Sequence, residues 1–229
     1  MAAPGYIAAG ILIERVLDED LATVLEERFT GPLSLDDTSL SDGSMRTRHG
    51  WFSVPGSCDP DRRCDMLDHE GTALMSTLWA ERGMVSSSED MLVWGEALFG
   101  GDVLGEEATA TMLTMNPAEV APVPNRYFAL GATGYCLDPT TECDPEEIEL
   151  VGAPGSTSYG WSNQLVHHPD SGVTVLVQAN TAVAVGGRPF ETRAASRAVS
   201  GELRQSRQNS LPSGSVITMW PALSGGAGS

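Results

Sequence analysis

Serine, histidine and carboxylate side chains cluster in several places along the chain, and each cluster fails a test of type or spacing. Ser156-Thr157-Ser158-Tyr159-Gly160 has the outline of a nucleophile elbow, the turn that lifts a serine hydroxyl above a sheet, but lacks its first glycine. Ser158 is therefore a poor nucleophile, and the segment reads as a Gly/Ser-rich loop between two strands. The histidines are His49, His69, His167 and His168. His69 lies in Asp65-x-x-Asp68-His69-Glu70, whose donors suit a metal. No second histidine follows at a ligand spacing, so the cluster reads as a solvated face. Asp59, Asp61 and Asp65 lack the calcium-loop spacing and its closing glutamate. His167 and His168 flank a turn, where exposure to solvent is expected. No Ser-His-Asp set assembles from these residues.

All thirteen basic residues are arginine; lysine is absent from the 229 residues. That excludes a P-loop lysine, a Schiff-base lysine and any Ser-x-x-Lys nucleophile pair within this sequence. The sequence implies no cofactor and no metal. A formal net charge of −18 argues against nucleic acid or an anionic membrane as partner, since both would repel this surface. No stretch reaches the roughly 20 apolar residues that a membrane span needs. Cys58 and Cys64 bracket one short polar loop, and Cys136 and Cys143 bracket another, each containing proline. Neither pair is a Cys-x-x-Cys redox or zinc motif. Such loops can be closed by local disulfides, so Cys58–Cys64 and Cys136–Cys143 are the expected pairs; four free thiols are the main alternative, ahead of a metal site. Bridges would imply an oxidising compartment, yet the first residues show no basic region or cleavage site of an export signal.

The elements that position these residues follow from hydrophobic period and punctuation. With 41% hydrophobic residues the chain can bury a sizeable core. Residues 4–15 predict a buried helix. Asp18-Glu19-Asp20 opens a second helix through Glu27, stopped by Thr30-Gly31-Pro32. Residues 34–74 read as a long irregular segment. Ser86-x-x-Glu89 is a capping box for a helix that presents Met91, Trp94 and Leu98 on one face and ends at Gly100-Gly101. A short helix follows over 106–114. Strands are predicted over 127–135, 148–152, 163–168 and 173–180, with Pro169-Asp170-Ser171-Gly172 as a hairpin turn. A closing amphipathic helix is expected over 188–208, and residues 209–229 read as a flexible tail. Helices, then an antiparallel sheet, then a helix make the fold class α+β.

Five blocks, in order, resemble the serine β-lactamase and penicillin-binding protein family, in particular its class C-like, D,D-peptidase and esterase branch. They are Gly5–Val16; Leu21-Ala22 through Gly31-Pro32-Leu33-Ser34-Leu35-Asp36-Asp37-Thr38; Gly83-Met84-Val85-Ser86-Ser87-Ser88-Glu89-Asp90-Met91 followed by Trp94-Gly95-x-Ala97-Leu98; Tyr127-x-Ala129-Leu130-Gly131; and Gly152-Ala153-Pro154-Gly155-Ser156-Thr157 with His168–Val173 and Gln178-Ala179-Asn180. The resemblance covers about residues 5–205 and corresponds to the C-terminal part of such a domain. It implies a β-lactamase/transpeptidase-like fold and acyl transfer to water from a β-lactam, a D-Ala peptide or an ester. In that family a Ser-x-x-Lys serine attacks, a Tyr-x-Asn assists, and a Lys- or His-x-Gly strand forms the opposite wall.

The chain departs from all three motifs. Ser-x-x-Lys is impossible without lysine. Aligning on Tyr6 and Gly10 sets Met1-Ala2-Ala3 where Tyr-x-Asn would stand. The wall motif aligns with Ala153-Pro154-Gly155, so alanine replaces the cation or imidazole and proline removes one N–H donor. The resemblance leaves Ala153, Gly155 and Ser156 as substrate-wall positions and no catalytic residue; Gly155 also fits a purely backbone role. The expected organisation is a partial domain over 1–208 that lacks its N-terminal part. On this reading the chain is inactive by itself, marginally stable, and completed by an N-terminal half bearing the nucleophile. The alternative is a non-catalytic binding or scaffold protein using the altered groove. A small molecule or peptidoglycan-like compound is the implied ligand, and the parent protein is expected to be extracellular or in the periplasm or cell envelope.

Overall fold

The computed structural model describes residues 3–42, 51–52, 64–65, 78–120, 126–136, 144–156 and 162–179. Helix α1 spans Ala3–Leu17. It was expected to be buried, but Leu12 and Val16 are 62% and 70% exposed, and Tyr6, Ile11 and Ile13 are also exposed. It packs closely at Gly10, where a Cβ would lie 2.6 Å from Ala80 and 2.9 Å from the Trp79 ring, and the Glu14 carboxylate accepts from the Leu21 N–H at 2.9 Å.

Helix α2 spans Leu21–Leu25, shorter than the sequence suggested. Asp20 is its N-cap: the carboxylate accepts from the Thr23 N–H at 3.0 Å and from the Thr23 hydroxyl at 2.8 Å. These bonds favour the ionised form and hold the Asp20 carboxyl below its ordinary value. Leu21 and Val24 point inward. The chain then widens into a π-helical turn over Glu26–Thr30.

Strand β1 (Ser39–Leu40) pairs antiparallel with β4 (Met84–Val85), and β2 (Trp51–Phe52) pairs with β3 (Cys64–Asp65). Short strands therefore lie within the segment read as irregular. Helix α3 (Ser88–Gly100) starts one residue later than the Ser86 box predicted. The N-cap is Ser87, whose hydroxyl accepts from the Asp90 N–H at 3.1 Å. Gly101 closes the helix at φ 94°, a left-handed conformation that suits glycine. Helix α4 follows over Glu106–Met112.

The remaining strands are β5 (Asn116–Val120), β6 (Arg126–Phe128), β7 (Thr133–Tyr135), β8 (Leu150–Ser156), β9 (Ser162–His168) and β10 (Val173–Ala179). They form one antiparallel sheet in the order β10-β9-β8-β7-β6-β5. The single strand expected over 127–135 is two strands: Ala129 N–H bonds the Ala132 carbonyl at 3.0 Å, and Gly131 takes φ 77° to turn the chain. Strand β5 was not foreseen.

Register sorts the side chains by face. On one face Val151, Leu165 and Leu176 pack with Leu92 and Phe99 of α3 and with Ala129 and Ala132. The stripe that α3 turns to the sheet is thus Leu92, Gly95 and Phe99; Met91, Trp94 and Leu98, predicted to lead, are only partly buried beside it. Trp94 instead meets Phe29 edge-on at 5.7 Å, which ties α3 to the π turn. The helix sits so close to the sheet that a Cβ on Gly95 would lie 2.9 Å from Leu165. The opposite face buries Leu150, Val166, Val173, Val175, Val177 and Tyr135. The closing helix expected over 188–208 and the tail lie outside the described residues.

Candidate active site

The wall residues fall at the end of β8. Its neighbour β7 pairs with it only over Leu150–Gly152. Beyond that point β8 continues, and Ala153, Pro154, Gly155 and Ser156 pair with β9 alone, opposite Leu165, Gln164, Asn163 and Ser162. Among the described residues this stretch has an open edge. Proline is confined to edge stretches of this kind, since it has no N–H to give to a ladder. Backbone groups two residues apart point to the same edge of a strand. The Ser156 N–H therefore faces the same edge of β8 as the Pro154 nitrogen.

On the α3 side of the sheet, Gly155, Asn163 and Gln178 stand side by side on three adjacent strands. The space above Gly155 belongs to Asn163: a Cβ on residue 155 would lie 2.6 Å from Asn163 Oδ1 and 2.7 Å from its Nδ2. Gln178 Oε1 accepts from the Ser88 hydroxyl at 2.6 Å. This bond joins the first turn of α3 to the row. Sequence reasoning named Gly155 but missed Asn163 and Ser88, because only strand register puts them together.

His167 and His168 are not exposed. They are 4% and 7% accessible, because both faces of β9 are covered and the turn folds back on them. His167 Nδ1 shares a hydrogen bond with Thr174 Oγ1 at 2.8 Å, and its ring stacks near Phe99 at 6.2 Å. Burial, and secondarily the neighbouring His168, push His167 below the ordinary histidine value. His168 Nδ1 meets Ser171 Oγ at 2.9 Å and accepts from the Ser171 N–H at 3.2 Å, fastening the hairpin turn. His167 lies four residues up β9 from Asn163, about 13 Å away. Both histidines are structural, and neither reaches the wall.

Two of the resemblance blocks meet each other. The Thr38 hydroxyl bonds Asp90 Oδ2 at 2.7 Å and lies 2.6 Å from Ser86 Oγ, while the Asp37 N–H donates to the same Asp90 oxygen at 2.9 Å. Cys136 is buried and disulfide-bonded. Cys58 and Cys143 lie outside the described residues, as do His49, His69, Asp59, Asp61 and Ser158, and of Cys64 only the backbone is described. Among the described residues no three metal-ligating side chains converge, and no helix is long and apolar enough to cross a membrane.

The β-lactamase family model matches residues 2–200. This chain belongs to the β-lactamase family. Solved structures agree on the fold. D-amino acid amidase from Ochrobactrum anthropi SV3, complexed with L-phenylalanine amide, superposes with a TM-score of 0.73 at 19% identity over 90% of this chain and 58% of that one. A penicillin-binding protein from Bacillus halodurans gives 0.62 at 16% identity, over 87% and 55%. A D-stereospecific amidohydrolase from Streptomyces sp. gives 0.58 at 21% identity, over 74% and 46%. The β-lactamase-family chain thus spans only about half of the length of these solved relatives. The α+β, β-lactamase/transpeptidase-like fold read from the sequence is the fold observed. A comparison with curated proteins found no match.

Proposed function

We propose that this β-lactamase-family chain supplies the substrate wall of an acyl-transfer site and does not itself carry the nucleophile. One observation carries the reading: among the described residues, β8 runs past β7 through Gly155 and Ser156, in a sequence without lysine. Ala153, Gly155 and Ser156 would line a small acyl compound or peptidoglycan-like ligand, with the Ser156 N–H facing the developing oxyanion. The compound class is a β-lactam, a D-amino acid amide or peptide, or an ester. The amide is suggested by the amidase neighbours. The serine nucleophile and its lysine would come from a segment of the fold outside these 229 residues. The exposed apolar side chains of α1 support such a segment, since a helix apolar nearly all round is ordinarily covered. A second reading, non-catalytic binding in the same groove, draws on Ala153 and Pro154, which remove a side chain and a donor that acyl transfer uses.

The test is incubation of the chain with fluorescent penicillin, a chromogenic β-lactam and D-phenylalanine amide, read by intact mass and by saturation-transfer NMR. The expected result is no turnover and no covalent label, with reversible contact to one of these compounds that Gly155→Val abolishes. Stoichiometric acylation of any serine would overturn the first half. Ligand contact unchanged in Gly155→Val would overturn the second.

A further inference from the structure

A groove of about 700 Å³ lies between α4 and the tip of the β6–β7 hairpin, and none of its lining residues belongs to the wall strand. Its lining includes the apolar side chains of Leu104, Met112 and Leu130. Leu130 sits at the hairpin tip with 65% of its surface in water, and Leu104 is 38% exposed. The tip is held in place, because the Leu130 N–H donates to the Met112 carbonyl at 3.1 Å and Gly131 fixes the turn at φ 77°. The same lining includes the adjacent carboxylates Glu106 and Glu107, which follow Leu104 closely in the chain. Among the described residues, neither has a basic partner within ion-pair distance.

These features define an occupant. The exposed leucines gain free energy only from an apolar side chain laid across them. The paired carboxylates, on a protein of net charge −18, attract a cation and repel an anionic one. We propose that this groove docks a short basic peptide segment: a leucine- or phenylalanine-sized side chain between Leu104 and Leu130, with flanking arginine or lysine beside Glu106 and Glu107. The proposal does not depend on the acyl-transfer reading, since it uses no residue of the wall.

The experiment is fluorescence anisotropy of a labelled Arg-Leu-Phe-Leu-Arg peptide titrated with the full chain at low salt. Its counterpart has both arginines replaced by glutamate. Saturable binding with a Kd below about 1 mM is expected for the basic peptide and none for the acidic one. Glu106→Gln with Glu107→Gln should weaken binding about fivefold, and Leu104→Ser with Leu130→Ser should weaken it about tenfold. These four side chains are exposed, so the fold tolerates the changes, and circular dichroism verifies it. Glu26→Gln with Glu27→Gln removes two exposed carboxylates elsewhere and should leave the Kd within about twofold. The proposal is overturned if the basic peptide fails to saturate, if the acidic peptide binds equally, or if the control pair weakens binding as much as the groove pair.

Discussion

Removing the Asp90 carboxylate should unlatch the Asp37–Thr38 segment from the first turn of α3. Asp90 Oδ2 takes two hydrogen bonds from a segment some fifty residues earlier in the chain, from the Thr38 hydroxyl at 2.7 Å and the Asp37 N–H at 2.9 Å. It also lies in the first turn of α3, where negative charge is favoured by the helix dipole. A hydrogen bond to a charged group contributes about 1.5 kcal/mol at the lower end of its range, which suits the half-buried Thr38 bond. The Asp37 bond is open to water and contributes about 1 kcal/mol, and the dipole about 0.5 kcal/mol. Asp90→Ala should therefore cost about 3 kcal/mol, and Asp90→Asn, which keeps an acceptor, about 1 kcal/mol. Thr38→Val should cost about 1.5 kcal/mol, and the double variant less than the sum of the two by about 1 kcal/mol. Urea unfolding followed by tryptophan fluorescence gives each value from the midpoint at constant slope. If Asp90→Ala lost less than about 0.5 kcal/mol, or if the two substitutions simply added, the latch would not exist.

Three further outcomes follow from the sheet. His167 has a folded-state value below that of the unfolded chain, where it is about 6.5. Above that pH both states are neutral and the full stability is present; as pH falls below it, only the unfolded chain gains the proton, so stability drops until the folded value is reached. His167→Gln should flatten the stability profile below pH of about 6.5, and an unchanged slope would contradict the assignment. Gly152→Ala would drive a Cβ into the Leu165 carbonyl oxygen and to 2.9 Å from Val166 Cα, which are backbone atoms that cannot yield. It should cost about 3 kcal/mol, whereas Gly155→Ala meets only the movable Asn163 side chain and should cost about 1 kcal/mol. Equal midpoints in urea for the two variants would show the strand spacing to be wrong. Peptide mapping of unreduced, alkylated protein should find Cys136 unalkylated and linked to Cys143, and Cys58 linked to Cys64; free thiols or cross-pairing would remove the basis for expecting an oxidising compartment.

Much of the sheet was readable because its signals are local. Pro169-Asp170-Ser171-Gly172 announces the turn between β9 and β10, and the apolar run Val175-Leu176-Val177 in β10 reflects burial on both faces. The Gly101 stop of α3 was also visible, while its start was misplaced by one residue because three consecutive serines can all cap. What escaped depends on distant partners. Nothing near His167 in sequence reveals Phe99, and Ser88 meets Gln178 only after α3 docks. The break at Gly131 was hidden because Ala129, Leu130 and Ala132 keep the strand's apolar character through the turn. At the wall, the residue types were legible, but the open edge of β8 was not, since it depends on where β7 stops.

The order β10-β9-β8-β7-β6-β5 has a kinetic consequence. Among the described strands of this sheet each neighbours only the strand before and after it in the chain, so they can zip up through successive connections of short sequence separation. Contacts of such short sequence separation close quickly, and chains dominated by them fold early and fast. The β1–β4 pair and the Thr38–Asp90 latch close a far longer loop and must wait for both partners to be placed. The sheet, with α3 laid on it, is thus the expected folding nucleus. Substitutions at Leu165, Val175 or Leu176 should slow refolding, whereas those at Thr38 or Asp90 should chiefly hasten unfolding.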